Sequence, residues 1–261
     1  MTKISIITIN YNDKEGLEKT VLSVFNQTIQ DYEFIVIDGN SNDGSKSIID
    51  KYKDKFTYWV SEDDHGIYHA MNKGIRAANG DYLLFMNSGD ELIADSNILN
   101  ICAEKLVEDI VAFDCYLSKE EKIIGKRTHI EKPTLFYVYK NGFKHQSTFI
   151  KRNLFEKIGL YNETYEIAGD YEFWIRSFLE PQTTSKSYSI PIAIFKLNGI
   201  SQKADWGKEH RQIEQELLPH LIADFHFFEK LLQYQNSRIL KPLVKVHGIT
   251  KKIFNQIFSN W

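Results

Sequence analysis

Carboxylates, amides and one tyrosine recur just beyond the apolar runs of this chain. Asn10-Tyr11-Asn12-Asp13 follows Ile4 to Ile9, and Asp38-Gly39-Asn40-Ser41-Asn42-Asp43-Gly44 follows Phe34 to Ile37. Ser61-Glu62-Asp63-Asp64 and Asn87-Ser88-Gly89-Asp90-Glu91 stand in the same relation to Phe56 to Val60 and Tyr82 to Met86. A ring such as Tyr11 can pack against a nucleobase, and a carboxylate such as Asp38 can accept a hydrogen bond from a ring N–H such as uracil N3. Asp63-Asp64-His65-Gly66-Ile67-Tyr68 precedes a helical pattern whose N-terminal amides can face phosphate, with Asn72 and Lys73 one turn further on. Plain structural uses compete at each position. Tyr11 also suits rim packing, Asp38 and Ser41 suit turn and helix-capping chemistry, and Ile67, Met71 and Ile75 suit a core. Asp43 is assigned to the turn and cap ahead of Ser45.

Such residues act together only if the chain brings them to one edge, and its periodicities do so. Ile4–Asn10, Glu33–Asp38, Phe56–Val60 and Tyr82–Met86 read as strands, and Lys14–Asn26, Ser45–Tyr52 and Tyr68–Ala78 read as helices. Alternation of this kind implies a mostly parallel sheet flanked by helices, whose ligands bind beyond the carboxyl ends of the strands. After Asn97 the order becomes mixed. It runs through a helix to Lys105, strands near Ile110–Tyr116 and Ile123–Arg127, a turn at Lys132-Pro133, a loop from Tyr161 feeding a helix over Tyr171–Leu179, a surface loop at Glu180–Thr184, a strand over Ile190–Leu197, and then helices.

A net charge of −3 gives no broad attraction to nucleic acid. No apolar run reaches the roughly 20 residues that cross a bilayer. The opening residues lack a signal-peptide pattern, so a cytoplasmic location is expected. Cys102 and Cys115 have no metal-ligand spacing and read as small buried hydrophobes. Neither a Gly-rich dinucleotide fingerprint nor a Gly-Lys-Ser/Thr phosphate loop is present, so a nucleotide site must be built otherwise.

Four ordered motifs, Ile4 to Asn12, Ile35 to Gly44, Gly66 to Ile75 and Gly80 to Asp90, resemble those of family 2 glycosyltransferases, inverting enzymes of GT-A fold. The resemblance extends over roughly Lys3 to Ser201, with Ile9 where proline is frequent. It implies a GT-A-like α/β fold and transfer of a sugar from a nucleotide-diphosphate donor, a UDP-sugar favoured, to an acceptor hydroxyl on a glycan or lipid-linked saccharide of a bacterial surface polysaccharide. It places Asn10, Tyr11, Asp38, Ser41, Asp64, Tyr68 and Asn72 around the nucleotide-sugar. It makes Asp90 the ligand of a divalent metal, Mg²⁺ or Mn²⁺, with Asn87 and Gly89 standing where the family often has aspartate. Asp170, in Ala168-Gly169-Asp170-Tyr171-Glu172, falls on the family's base position, although by residue type alone a helix N-cap is the stronger reading. His145 in His145-Gln146-Ser147 matches a segment on the acceptor side, where a core or surface histidine is an equal reading. Gly199-Ile200-Ser201 resembles a loop that closes the site.

Two rivals differ in class. A sugar nucleotidyltransferase would carry a Gly-rich basic loop where Asn10-Tyr11-Asn12-Asp13 stands, and an inactive scaffold would explain Asn87 and Gly89 but not the retention of Asp90 and Asp170. The expected division is a catalytic domain over residues 1–215 and a helical tail over 216–261. From Lys230 to Trp261 there is no acid, while Lys230, Arg238, Lys241, Lys245, Lys251 and Lys252 accompany apolar residues at helical spacing after Pro242. That pattern suits peripheral contact with the inner membrane leaflet, and equally packing on the domain or on a second copy in a homodimer.

Overall fold

The computed structural model describes residues 3–29, 31–197 and 206–235. The expected closing loop at Gly199-Ile200-Ser201 and the tail beyond Pro242 lie outside the described residues.

The first hundred residues form the expected βαβ series. β1 (Ile4–Asn10) is buried along its whole length, which is why its apolar pattern is nearly continuous rather than alternating. α1 (Lys14–Phe25) starts where the Asp13 carboxylate accepts the Gly16 amide at 3.1 Å, and it buries Leu17, Val21 and Val24. β2 (Tyr32–Asp38), α2 (Ser45–Tyr52), β3 (Tyr58–Ser61), α3 (Ile67–Ala77) and β4 (Tyr82–Phe85) follow. β1 pairs in parallel with both β2 and β4, and β2 with β3, so the polar segments after all four strands share one edge of the sheet.

The second half completes the sheet by a different rule. β5 (Glu91–Leu92), α4 (Ile98–Ala103), the hairpin of β6 (Ile110–Lys119) and β7 (Lys122–Arg127), and α5 (Leu135–Asn141) lead to β8 (Thr148–Lys151). β8 runs antiparallel to both β4 and β6 and so joins the two halves. α6 (Arg152–Ile158) and α7 (Gly169–Leu179) precede β9 (Ser185–Lys196), which is parallel to β6 and antiparallel to β5. Strand order among the described residues is β3-β2-β1-β4-β8-β6-β9-β5, with β7 on β6. The sequence reading missed α5, β8 and α6. β8 has four residues and passes into α6 without a loop, too short a stretch for either periodicity to register. It also began the last strand late, at Ile190 rather than Ser185.

α8 (Trp206–Leu217) and α9 (Ile222–Gln235) close the described chain. The chain divides into two compact units, Met1–His210 and Arg211–Trp261. Both cysteines are buried and unpaired with each other. Among the described residues no helix is long and apolar enough to cross a membrane.

Candidate active site

A cavity of about 820 Å³ opens at the shared edge of β1, β2 and β4. Tyr11, Asp64, Tyr68, Asp90, His145 and Asp170, drawn from five separate segments of the sequence, all line it.

The edge itself is held by a polar network in which Asn10 and Ser88 line the cavity while Asp38 and Ser41 lie behind its wall. Asn10 donates to Asp38 Oδ1 at 2.7 Å and accepts from the Ser88 hydroxyl at 2.7 Å, tying the ends of β1, β2 and β4 together. Asp38 is fully buried. Its Oδ1 also accepts from the Ser41 hydroxyl (2.6 Å), and its Oδ2 accepts from the Ser41 amide (3.0 Å) and the Ser61 hydroxyl (2.6 Å). Ser41 Oγ in turn accepts the Asn12 amide at 2.8 Å. Both residues, expected at the nucleotide, therefore sit behind the wall with their hydrogen-bonding capacity used within the protein. Asn72 is also redirected. Its side chain clamps the loop after α6, donating to the Tyr161 carbonyl (2.9 Å) and Glu163 (2.7 Å) and accepting the Tyr161 amide (3.1 Å). Asp43 holds the Lys14 and Ser45 amides, in keeping with its structural assignment.

At the mouth, the Tyr11 ring is 67% exposed beside Gly39 and Asp64. Asp64 Oδ1 is engaged by Lys73 Nζ at 2.7 Å and by the His69 ring at 3.2 Å. Gly39 keeps the neighbouring slot open, because an added Cβ would come within 3.1 Å of Tyr11 Cδ2 and 3.2 Å of Asp64 Oδ2.

Deeper in, Asp90 is 5% exposed. Burial pushes its carboxyl up to about 7 against the counteracting influence of His145, a Gln146 hydrogen bond and the Lys196 amide, which lies 3.4 Å from Oδ1. Asn87 shares a 3.1 Å contact with His145 Nε2, while its Oδ1 is buried without a hydrogen-bond partner. Among the described residues no group of three or more His, Cys, Asp or Glu side chains converges as a metal site. An under-satisfied carboxylate and an orphaned amide oxygen nevertheless fit a hard cation that takes its remaining oxygens from diphosphate and water.

Asp170 lies in the first turn of α7, not at its cap. The N-cap is Ala168, which has no capping side chain. Asp170 Oδ2 is 3.6 Å from His145 Nδ1, and Oδ1 accepts the Tyr171 amide at 2.7 Å with the Tyr68 hydroxyl at 3.4 Å. Burial alone would raise this carboxyl, but the His145 hydrogen bond and charge, Lys144 and the Tyr171 amide outweigh it and hold it below the ordinary aspartate value. Tyr68 is buried with its hydroxyl pushed well up, by desolvation first and by the Asp170 charge second. Its ring passes so close beneath Gly169 that a Cβ there would fall 2.8 Å from ring carbons, so the α7 start requires glycine. Lys144 and Lys196, absent from the sequence reading, also line the cavity; Lys144 directly precedes the motif that contains His145.

The family pattern described as glycosyl transferase family 2 matches residues 5–207. The chain belongs to that family. An uncharacterized glycosyltransferase of Mycobacterium tuberculosis is 35% identical over 188 residues, 69% of this chain and 71% of the relative. A PGL/p-HBAD biosynthesis glycosyltransferase of Mycobacterium bovis is 28% identical over 204 residues, covering 76% and 78% of the two chains. Among solved structures, S. aureus TarS 1-349 in complex with UDP-GlcNAc is similar with a TM-score of 0.68 and 16% identity, over 82% of this chain and 65% of that one. The mannosyltransferase PcManGT from Pyrobaculum calidifontis, in complex with GDP-Man and Mn²⁺, gives a TM-score of 0.54 at 17% identity over 74% and 56%. The fold is therefore GT-A-like, and this family 2 glycosyltransferase is an enzyme of sugar transfer rather than a sugar nucleotidyltransferase.

Proposed function

We propose that this glycosyltransferase moves a sugar from a UDP-sugar to a hydroxyl of a glycan or lipid-linked saccharide with inversion, Asp170 acting as general base. The observation that carries the reading is the split between two carboxylates lining one cavity. Asp170, with Oδ2 3.6 Å from His145 Nδ1, is held below the ordinary aspartate value against burial by His145 and Lys144, and Asp90 is pushed up to about 7 by burial.

The Tyr11 ring stacks on the base. Asp38 being saturated, Asp64 is the carboxylate at the mouth that accepts an imide N–H. Lys73 and His69 occupy its Oδ1, leaving Oδ2 on the Gly39 side, which suits the single N3–H of uracil better than the two adjacent donors of guanine. Lys144 and Lys196 place positive charge where a diphosphate would lie. Asp90, with Asn87 Oδ1, would hold a divalent cation, which when bound supplies countercharge for the leaving diphosphate. As the acceptor oxygen bonds to the anomeric carbon, Asp170 takes its proton. The bond from that carbon to the diphosphate oxygen breaks, and its electron pair leaves with the nucleoside diphosphate. A role in surface polysaccharide synthesis and a cytoplasmic location complete the proposal, the basic tail serving either peripheral contact with the inner membrane leaflet or packing on the domain or on a second copy in a homodimer.

The test is nucleoside diphosphate release from UDP-, GDP- and dTDP-sugars with Mg²⁺, Mn²⁺ or EDTA, together with calorimetric binding of each nucleotide. Metal-dependent turnover of a UDP-sugar, lost in Asp170→Asn, is expected. Full activity of Asp170→Asn, or binding of GDP in preference to UDP, would overturn the corresponding part.

A further inference from the structure

Asp170 can act as a base only if its carboxylate stays beside His145, and the start of α7 has no capping side chain of its own to fix it. Ala168 caps nothing, and Gly169 adds flexibility directly before Asp170. The missing anchor comes from about forty residues downstream, at the start of α8. Glu209 accepts three consecutive backbone amides with its two oxygens: Glu166 at 2.6 Å on Oε1, and Ile167 at 3.1 Å and Ala168 at 2.8 Å on Oε2. The next residue, His210, lies flat on the Tyr171 ring, with centroids 4.1 Å apart and planes 8° from parallel.

Two adjacent residues thus grip the chain on either side of Asp170, the carboxylate before it and the imidazole after it. We infer that Glu209, seconded by His210, is the positioning residue of this glycosyltransferase, holding the α7 start so that Asp170 faces the acceptor hydroxyl. Three charge-assisted bonds to one carboxylate form a strong local anchor at a helix N-terminus, where negative charge is also favoured by the helix dipole. Ile167, one of the amides held, itself lines the cavity, so the grip reaches the wall of the acceptor space. Both gripping residues lie just beyond the segment matched by the family pattern, residues 5–207, so family motifs carry no sign of them. The nucleotide-binding side, built from Tyr11, Gly39 and Asp64, touches neither residue in any contact described above. This predicts an effect on turnover separate from donor binding.

The inference rests on Asp170 being the base, and the experiment separates the two ideas. Glu209→Ala, Glu209→Gln and Asp170→Asn are compared in the full chain by UDP calorimetry, by kcat and KM for the UDP-sugar that turns over, and by amide exchange at residues 166–168. The expected result for Glu209→Ala is a loss of about 10- to 100-fold in kcat, with UDP affinity and donor KM within about twofold of wild type and faster exchange at those amides. Glu209→Gln, which keeps the length and one accepting oxygen, is expected to recover part of kcat. Wild-type kcat in Glu209→Ala beside an inactive Asp170→Asn would overturn this inference alone, whereas an active Asp170→Asn would remove the reading beneath it. Should Glu209→Ala fail to fold, Glu209→Gln decides: equal falls in kcat and UDP affinity would mean a merely structural role.

Discussion

Two buried acids belong to the same sheet and are treated in opposite ways. Glu33, at the start of β2, is almost fully enclosed, yet it accepts from the Ser5 hydroxyl (2.6 Å), the Asn79 amide (2.7 Å) and the Gly80 amide (3.2 Å), and pairs with Lys3 at 3.1 Å. Burial acts to raise its carboxyl, but these donors together bring it below the usual value. Asp90, beyond the end of β4 at the other edge, is comparably buried, and the nearby His145, a Gln146 hydrogen bond and a long bond from the Lys196 amide do not offset its desolvation, so burial wins and the group rises to about 7. The contrast teaches which carboxylates are structural. A carboxylate that only holds strands together is given a full set of donors, whereas one that must receive a ligand is left short of them and faces a cavity.

The largest effect should come from the functional edge. Asp170→Asn is expected to lower kcat about 10³-fold while UDP affinity by calorimetry changes little; a small effect would remove the base from the comparison. Because Asp170 is held below the ordinary aspartate value, kcat should show no acid limb from it between about pH 5 and 8. A limb near pH 6 that persists in Asp90→Asn, which removes the group at about 7, would mean that His145 and Lys144 do not hold its charge. Asp90→Asn is expected to cost on the order of 100-fold in turnover and yet to raise thermal stability without metal, since it removes a poorly solvated carboxylate. A fall in melting temperature would place Asp90 with Glu33 as a structural acid.

Tyr11→Ala should raise donor KM about tenfold with kcat nearly unchanged, as expected for a stacking contact at an exposed ring. The smallest effect on catalysis belongs to Glu33→Ala. It should leave activity per folded molecule at the wild-type level while costing about 2–3 kcal/mol of stability by denaturant titration, because several donors lose their partner. The Glu33 contribution is present above the unfolded-state value near 4.5 and is lost as pH falls through the lower folded value, so the stability gap to the variant should narrow only in acid.

Much of this division was legible before any coordinates. Motif order placed Asn10, Tyr11, Asp64, Tyr68, Asp90, His145 and Asp170 in one site, and all seven line one cavity. The same motifs also nominated Asp38, Ser41 and Asn72, which carry the right chemistry but spend it inside the protein. Nothing in a linear pattern distinguishes an aspartate with four internal donors from one with a free face. Glu209 was invisible for a related reason: its partners are backbone amides some forty residues away, and any residue type supplies an amide.

Local physics determined the elements. Apolar runs of strand length, amphipathic stretches of helical period and Asp or Gly at the turns specify short-range geometry, and parallel pairing then brings the strand ends to a common edge. Tertiary structure alone decided which polar atoms on that edge are satisfied. The donors that saturate Asp38, lower Asp170 and leave Asp90 short come from segments far apart in the chain, and hydrogen bonding and desolvation depend on distance in space, not on position along the sequence.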